Sequence, residues 1–278
     1  MRIFLYIIGF LVIGIITITS ISLLNFTNRT YQNKVKYFND EVELNSTLIT
    51  EDDLDGLPKA IKNYLLYVGV VGTEIPQKIT VKMTGAMKLK VDDNFNDIVI
   101  DQTSYIESTT RLFYMEMKYR GIKIAGLHDF EAGEASMKIK MLDVFKIVDE
   151  DGTYMNQSET VTFLNDMFLL APGSLLDSRL TYTEVDDYTV NVSFTENNIT
   201  VTATVFFDEE GKMINFVSED RYSLEDGENL LVTWRTPITE YTLMDNGLLL
   251  PSVGSAIWIH DDYEFEYIKL NIENVEYN

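Results

Sequence analysis

Cysteine is absent from this chain of 278 residues. That single absence removes disulfides, a thiol nucleophile, thiolate metal sites and a lipid-modified cysteine anchor. Histidine is almost as scarce, with only His128 and His260. Each precedes aspartate (Asp129, and Asp261-Asp262), and neither belongs to a His-Glu-x-x-His pair, so a zinc-protease site lacks its imidazoles. Positive charge is thin: 22 Lys and Arg stand against 44 Asp and Glu, a net charge of −22. Such a field repels phosphate backbones and anionic head groups, so nucleic acid is not an expected partner. The G-x-S-x-G elbow, the phosphate loop and the dinucleotide glycine pattern are all missing, and with them the standard nucleophilic and nucleotide chemistries. Glu51, Asp53, Asp55 and Gly56 imitate the opening of a calcium loop, but Lys62 stands where a bidentate glutamate is required and Pro58 breaks the run. The expectation is therefore no cofactor, no metal and no catalytic residue.

What the chain does have begins with an apolar run. Ile3 to Leu24 carries no charge over 22 residues, which as a helix spans roughly 33 Å against a bilayer core of about 30 Å. Its exit, SLLNFTN, is a poor match to a small-x-small cleavage site, so an uncleaved anchor over residues 1–25 is expected. Arg2 lies on one side of the run and Arg29, Lys34 and Lys36 on the other, so the positive-inside count does not favour an inside N-terminus. The two-residue N-terminal flank is that of a signal anchor, so the expected location is the cell membrane, single-pass, with the C-terminal domain extracytoplasmic. Residues 26–50 are polar and without firm periodicity, and read as a stalk. Residues 51–278 then form one domain. It opens with a short amphipathic helix in which Leu57, Ile61, Leu65 and Val68 recur at helical spacing and Gly69 closes the C-terminus.

Beyond that helix the pattern switches to alternation. Ile79 to Val91, Phe113 to Arg120, Met137 to Met141, Tyr188 to Thr195 and Ile199 to Phe207 each set apolar against polar residues with period two. One buried and one solvated face per strand is the mark of antiparallel sheet. Asp151-Gly152, Glu210-Gly211, Asp226-Gly227 and Asn246-Gly247 supply turns. Near the C-terminus the parity slips between Tyr267 and Ile268, which a β-bulge at Tyr267 would explain. One long helical signal, Asn156 to Leu176, interrupts the strands. Val161, Phe163, Leu164, Met167, Phe168, Leu170 and Ala171 fall on one half of it; Glu159, Thr162, Asn165 and Asp166 fall on the other. The expected fold is mainly β (α+β): a curved antiparallel sheet, or open half-barrel, with a helix over about 158–171 lying across its concave face as a lid.

The inward strand positions are rich in methionine: Met83, Met87, Met115, Met117, Met137 and Met141. Unbranched side chains of this kind re-pack around varied apolar guests, although the ordinary use of such a stripe is to fill a core. With Val161, Leu164 and Phe168 of the helix they are the expected lining of a ligand hollow. Glu159, Arg179 and Arg221 are its polar candidates, because an inward arginine in an apolar bowl demands a carboxylate from the protein or from a ligand. The commonplace alternatives are a solvated helix face for Glu159 and Asp166 and surface ion pairs for the arginines.

Four segments together resemble a known family: LPKAIKNYLLYVGVVG (57–72), the block from Gly133 through MKIKMLDVFKIVDEDG to LNDMFLLAPGSLL, FFDEEGKMINFVSEDRYS (206–223) and TPITEYTLMDNGLLLPSVGSAIW (236–258). The chain resembles, over about residues 57–278, a bacterial family of domain-of-unknown-function proteins that usually carry an N-terminal membrane segment. That resemblance implies no reaction. The sheet-plus-helix pattern is in turn similar to the lipoprotein-carrier fold, an open β-barrel that holds acyl chains under a helical lid; the retained anchor departs from a freely shuttling carrier. Three readings follow. The first is a membrane-tethered binding module for an apolar or lipid-like ligand. The second is a scaffold or interaction protein with a filled core. The third is a hydrolase, which requires at least two of Glu159, Asp166 and the histidines to converge in one polar cleft.

Overall fold

The computed structural model describes residues 25–41, 47–225 and 227–277. The expected anchor, Ile3 to Leu24, lies outside them, and no helix among the described residues is long and apolar enough to cross a membrane.

Antiparallel sheet dominates. Fourteen of the sixteen strands among the described residues join one sheet, in the order β6-β5-β4-β3-β2-β1-β16-β15-β13-β10-β9-β8-β7, with β14 also paired to β15. The strands that frame the site are β1 (Lys78–Met87), β2 (Asn96–Tyr105), β3 (Thr110–Tyr119), β4 (Ile122–Glu131), β5 (Glu134–Met141) and β6 (Phe145–Asp151) on one wing. On the other are β7 (Leu180–Asp186), β8 (Thr189–Glu196), β9 (Ile199–Phe207) and β10 (Met213–Ser218). Between the wings run β13 (Thr233–Arg235), β14 (Ile238–Leu243), β15 (Leu249–Ile259) and β16 (Glu264–Tyr277), while β11 (Tyr222–Glu225) and β12 (Glu228–Leu231) form a separate hairpin. The sheet is large, curved and unclosed, with β6 and β7 as its edges. The methionine-bearing strands are not consecutive. β2 and β4, whose sequences do not alternate, lie between them.

The slip at Tyr267 is a bulge: Ala256 pairs with Ile268 but Ile257 pairs with Glu266, leaving Tyr267 as the extra residue. Gly85 is obligatory in β1, because a Cβ there would lie 2.0 Å from the Lys269 carbonyl oxygen of β16.

Among the described residues three α-helices complete the fold. α1 (Phe26–Glu41) occupies the segment expected to be a stalk. It packs on the convex face, where Tyr31, Val35 and Phe38 cover Leu112, Tyr114, Ala125 and Leu127 of β3 and β4. The reason lies in β3: LFYM (112–115) is apolar at both parities, the mark of a strand covered on both faces. Tyr31 stacks on Tyr114 with ring centroids 5.9 Å apart and shares a hydrogen bond with Thr103; burial pushes its phenol up to about 12. α2 (Lys59–Val68) buries Ala60, Ile61, Tyr64, Leu65 and Val68, and ends at Gly69, whose φ of +85° is the left-handed closure glycine permits. α3 (Thr153–Leu170) runs through the concave interior.

Candidate functional site

α3 begins five residues before the expected lid, and beyond its exposed first turn it does not have a solvated side. Gly152, at φ +91°, turns the chain from β6 into the helix, and neither Asn156 nor Ser158 caps it. Glu159, Thr162 and Asn165, assigned above to the outer face, are buried. Four of its polar side chains are cross-braces to other elements. Asn156 accepts the Ala135 N–H (2.8 Å), Gln157 donates to the Asp220 carbonyl (2.8 Å), Ser158 accepts the Tyr222 N–H (2.9 Å) and Asn165 donates to Thr236 Oγ1 (2.9 Å). Thr160 and Thr162 return their hydroxyls to carbonyls one turn back, at 2.8 and 3.0 Å. A helix sequence that looks amphipathic is, from Ser158 on, enclosed on all sides, with its polar stripe turned into the protein.

That stripe meets an arginine. Arg111 Nε donates to Asp166 Oδ2 at 2.7 Å and Nη1 to Glu159 Oε2 at 3.1 Å, while Nη2 donates to Gln102 Oε1 at 3.2 Å. Gln102 Nε2 donates to Asp166 Oδ2 at 2.7 Å, and His128 Nδ1 lies 3.3 Å from Glu159 Oε1. The Arg111 and Glu159 side chains retain only 7% and 1% of their exposure. Burial by itself would raise the Glu159 carboxyl, but Arg111 and then His128 outweigh it and hold the group at about 2. Burial likewise works against the Arg111 charge, and Asp166 and Glu159 overcome it and raise its pKa. The Arg111 guanidinium also lies 4.6 Å from the Phe113 ring centre.

Between this polar wall and the central strands is a cavity of about 140 Å³. Met83, Met87, Phe113 and Met115 give its apolar lining on one side, and β15 and β16 close the other with Val253, Ala256, Ile268 and Leu270. The second arginine of the cavity is Arg221. Its guanidinium carbon lies 4.4 Å from the Trp234 ring centre and 5.1 Å from that of Trp258, and Nη1 donates to the Tyr267 hydroxyl at 3.3 Å. Trp234 Nε1 donates to the same hydroxyl at 3.2 Å, so the bulge at Tyr267 holds the acceptor that ties both side chains. Among the described residues Arg221 has no carboxylate within 4 Å, and its buried Nε has no hydrogen-bond partner. Asp220 turns the other way, accepting from the N–H and hydroxyl of Thr202 at 2.6 and 2.7 Å.

The candidate residues thus divide. Met83, Met87, Met115, Glu159 and Arg221 line the cavity. Met137 and Met141 share the sheet face of His128 but lie outside the lining, and Met117 is core. Val161, Leu164 and Phe168 do not roof the hollow: they sit in the solid core on the opposite side of α3, where Phe168 meets Phe216 and Phe163 meets Phe194. Arg179 is elsewhere, clamped by Asp177 and Glu196 at 2.6 Å each and donating to Thr109 and to the Ile106 carbonyl. His260 stacks on Tyr263 and lies 3.6 Å from Glu225. The acidic calcium-loop mimic is spent locally, with Asp53 on Thr50 and Asp55 on Lys62. Arg111 and Gln102 had no place among the candidates. Extending the alternation of β3 two residues back from Phe113 puts Arg111 inward, and Gln102 shares the face of Ile98 and Ile100.

A curved antiparallel sheet wrapped on a buried helix with a mixed apolar and ionic hollow defines the architecture. Residues 47–270 match the Family of unknown function (DUF6544), and the chain belongs to that family. Among curated proteins none matches the sequence. Two solved structures are similar over most of their length. One, from Vibrio parahaemolyticus and described as a putative outer membrane lipoprotein-sorting protein domain, is 10% identical with a TM-score of 0.41, covering 72% of this chain and 85% of its own. The other, a DUF1329 family protein from Desulfovibrio piger, is 10% identical with a TM-score of 0.30, covering 84% and 94%.

Proposed function

We propose that this protein is a binding module, tethered to the membrane by Ile3 to Leu24 with its domain outside, whose cavity takes an apolar or lipid-like ligand with an acceptor head at Arg221. The observation that carries the reading is Arg221 itself. A half-buried cation held between two tryptophans at the edge of an apolar hollow, with a buried N–H unanswered, acts on the Glu159 charge from a distance but makes no ion pair among the described residues, so it lacks the close partner that desolvated charges ordinarily have. A carboxylate or phosphate-type group would provide it. Met83, Met87 and Met115 would take the apolar part. At about 140 Å³ the hollow is close to the roughly 150 Å³ of an engineered cavity that binds benzene, so a longer chain enters only as the methionines re-pack.

The hydrolase reading gains something from the convergence of Glu159, Asp166 and His128. It is the weaker reading because both carboxylates are committed to Arg111, and among the described residues no serine or threonine hydroxyl bonds to His128. The test uses the full chain in detergent: native mass spectrometry of the purified protein, then titration with octanoate and with octanol. Bound amphiphile, a rise in Tm with octanoate, and at least a tenfold loss of octanoate but not octanol affinity in Arg221→Gln are expected. A ligand-free protein whose Tm ignores both compounds overturns the proposal.

A further inference from the structure

Among the described residues one corner is basic, and it is where the chain leaves for its apolar run. Residues 117–123 (MKYRGIK) and 138–147 (KIKMLDVFKI) together hold six lysines and arginines against one acid, in a chain where acids outnumber bases two to one. The register places them together. Ile124 pairs with Met141, so the β3–β4 turn at Arg120-Gly121 and the β5–β6 turn at Leu142 to Val144 lie at the same end of adjacent hairpins. The sole acid within these two segments, Asp143, is withdrawn from the surface: its carboxylate is buried and accepts the Thr27 N–H at 3.1 Å and the Thr27 hydroxyl. Just outside them Glu116 pairs with Lys123 at 2.7 Å and Asp149 with Lys146, the latter an exposed pair of the kind that holds a lysine weakly.

The same corner carries apolar side chains facing water. Ile122, Leu142, Val144, Phe145 and Ile147 are exposed there, Phe145 by 58%, and Phe26 at the start of α1 is exposed beside them. Scattered exposed aliphatics need no explanation, but a group on two neighbouring turns among lysines does. Asn25 and Phe26 are fixed to this corner: Lys123 Nζ lies 3.5 Å from Asn25 Oδ1, Lys140 Nζ sits 4.2 Å from the Phe26 ring centre, and Thr27 binds Asp143. Asn25 immediately follows Leu24, the last residue of the uncharged run. No intervening linker separates the two.

We infer that the β3–β4 and β5–β6 turns rest on the bilayer, with Ile122, Leu142, Val144 and Phe145 at the head-group boundary and Lys118, Arg120 and Lys146 on anionic lipid phosphates. The inference rests on the membrane tether proposed above. Apolar side chains that dip into the interface and basic ones that meet its negative potential are the two components of such binding. The overall charge of −22 argues against lipid contact for the domain as a whole, and it also orients it. The β15–β16 turn at the same end of the sheet, beyond β2 and β1, carries Asp261 and Asp262. Repulsion there and attraction at the basic corner tilt the domain onto its β3–β6 side. A second copy adding to the exposed β6 edge is the rival occupant, but it explains neither the lysines nor the position of Asn25.

The absence of native cysteine makes the experiment clean. Full-length Phe145→Cys and Val185→Cys chains, each with one fluorescent label, are reconstituted into phosphatidylcholine vesicles with and without phosphatidylglycerol. Val185 is a matched control, 56% exposed on the opposite sheet edge. Lipid-borne nitroxide should quench the label at position 145 at least threefold more than the label at 185, and more strongly with phosphatidylglycerol. Adding Lys118→Glu, Arg120→Glu and Lys146→Glu should abolish that gain. Equal quenching at the two positions, or protection of the 145 label by self-association without lipid quenching, overturns the inference while leaving the tether intact. Failure of the chain to float with either vesicle overturns the tether and the inference together.

Discussion

The two sides of α3 solve the same problem in opposite ways. Toward β8 and β10 the helix presents Phe163 and Phe168, which meet Phe194 and Phe216 in an aromatic core, and Tyr64 of α2 closes it by donating to the Phe168 carbonyl at 2.6 Å. Toward β2, β3 and β4 it presents Glu159 and Asp166, which meet Arg111, Gln102 and His128 beside a hollow. Close packing alone would have stabilised the fold on both sides, since apolar replacements of buried ion pairs are often neutral or better. An ionic wall beside a cavity is therefore a feature of the site, whereas the aromatic side is a feature of the fold.

Breaking each side should separate them. Arg111→Met leaves two buried carboxylates without their cation, and a loss of about 3–5 kcal/mol in denaturant unfolding is expected. Adding Glu159→Gln and Asp166→Asn should recover much of that stability, because the uncompensated charge goes with them. A triple variant as unstable as the single one would place the damage in packing and not in charge. Phe168→Ala, on the other side, should cost a similar 3–5 kcal/mol, roughly, through the void it opens, with octanoate affinity unchanged once the protein is folded. A change in affinity there would mean that the two sides are coupled through the helix.

Acid offers a gentler separation. The Glu159 carboxyl is held at about 2 in the fold, against an ordinary value of 4.5. Its contribution is complete above about pH 4.5 and is lost as pH falls from there toward 2. On this linkage the site contributes on the order of a few kcal/mol at neutral pH that acid removes. Glu159→Gln should be less stable than the native chain at pH 7 and show a flatter acid limb between about pH 5 and 3. Asp129 works in the other direction. Burial, opposed by Lys34, lifts it to about 6, so the stability its protonated form provides falls as pH rises from about 4 to 6. The pH optimum of stability is the resultant of both, and Asp129→Asn should steepen the net rise across about pH 3 to 6 by removing the opposing slope.

Legibility followed the same division. Alternation showed the strands with one wet face, Gly69 the end of α2, and the parity slip the bulge at Tyr267. Period-two reading failed at β2 and β4, because both lie mid-sheet and β4 carries Leu127 outward beneath α1 where a polar residue would mark an outer face. It failed at α1 because FTNRTYQNKVKYFNDE spends only Tyr31, Val35 and Phe38 on the sheet, too few for a visible stripe. The inverted orientation of α3 is the instructive miss. Hydrophobicity assigns Glu159 and Asp166 to water unless a buried cation is known, and Arg111 lies about fifty residues earlier on a strand whose alternation was read from Phe113. Local sequence cannot show a charge balanced across that distance.

The finest cut through the hollow side concerns a single hydroxyl. Tyr267 accepts from both Trp234 Nε1 and Arg221 Nη1, at 3.2 and 3.3 Å. Tyr267→Phe keeps the ring, its stacking on Trp258 at 6.0 Å and the bulge, so the stability cost should be only about 1 kcal/mol, the usual net worth of a hydrogen bond. Affinity tells more. If Arg221 is positioned by that hydroxyl for a ligand anion, octanoate should bind several-fold more weakly while octanol is unaffected. If the tryptophans alone position it, through faces 4.4 and 5.1 Å away, both compounds should bind as they do to the native chain, and the bulge then serves the sheet and not the site.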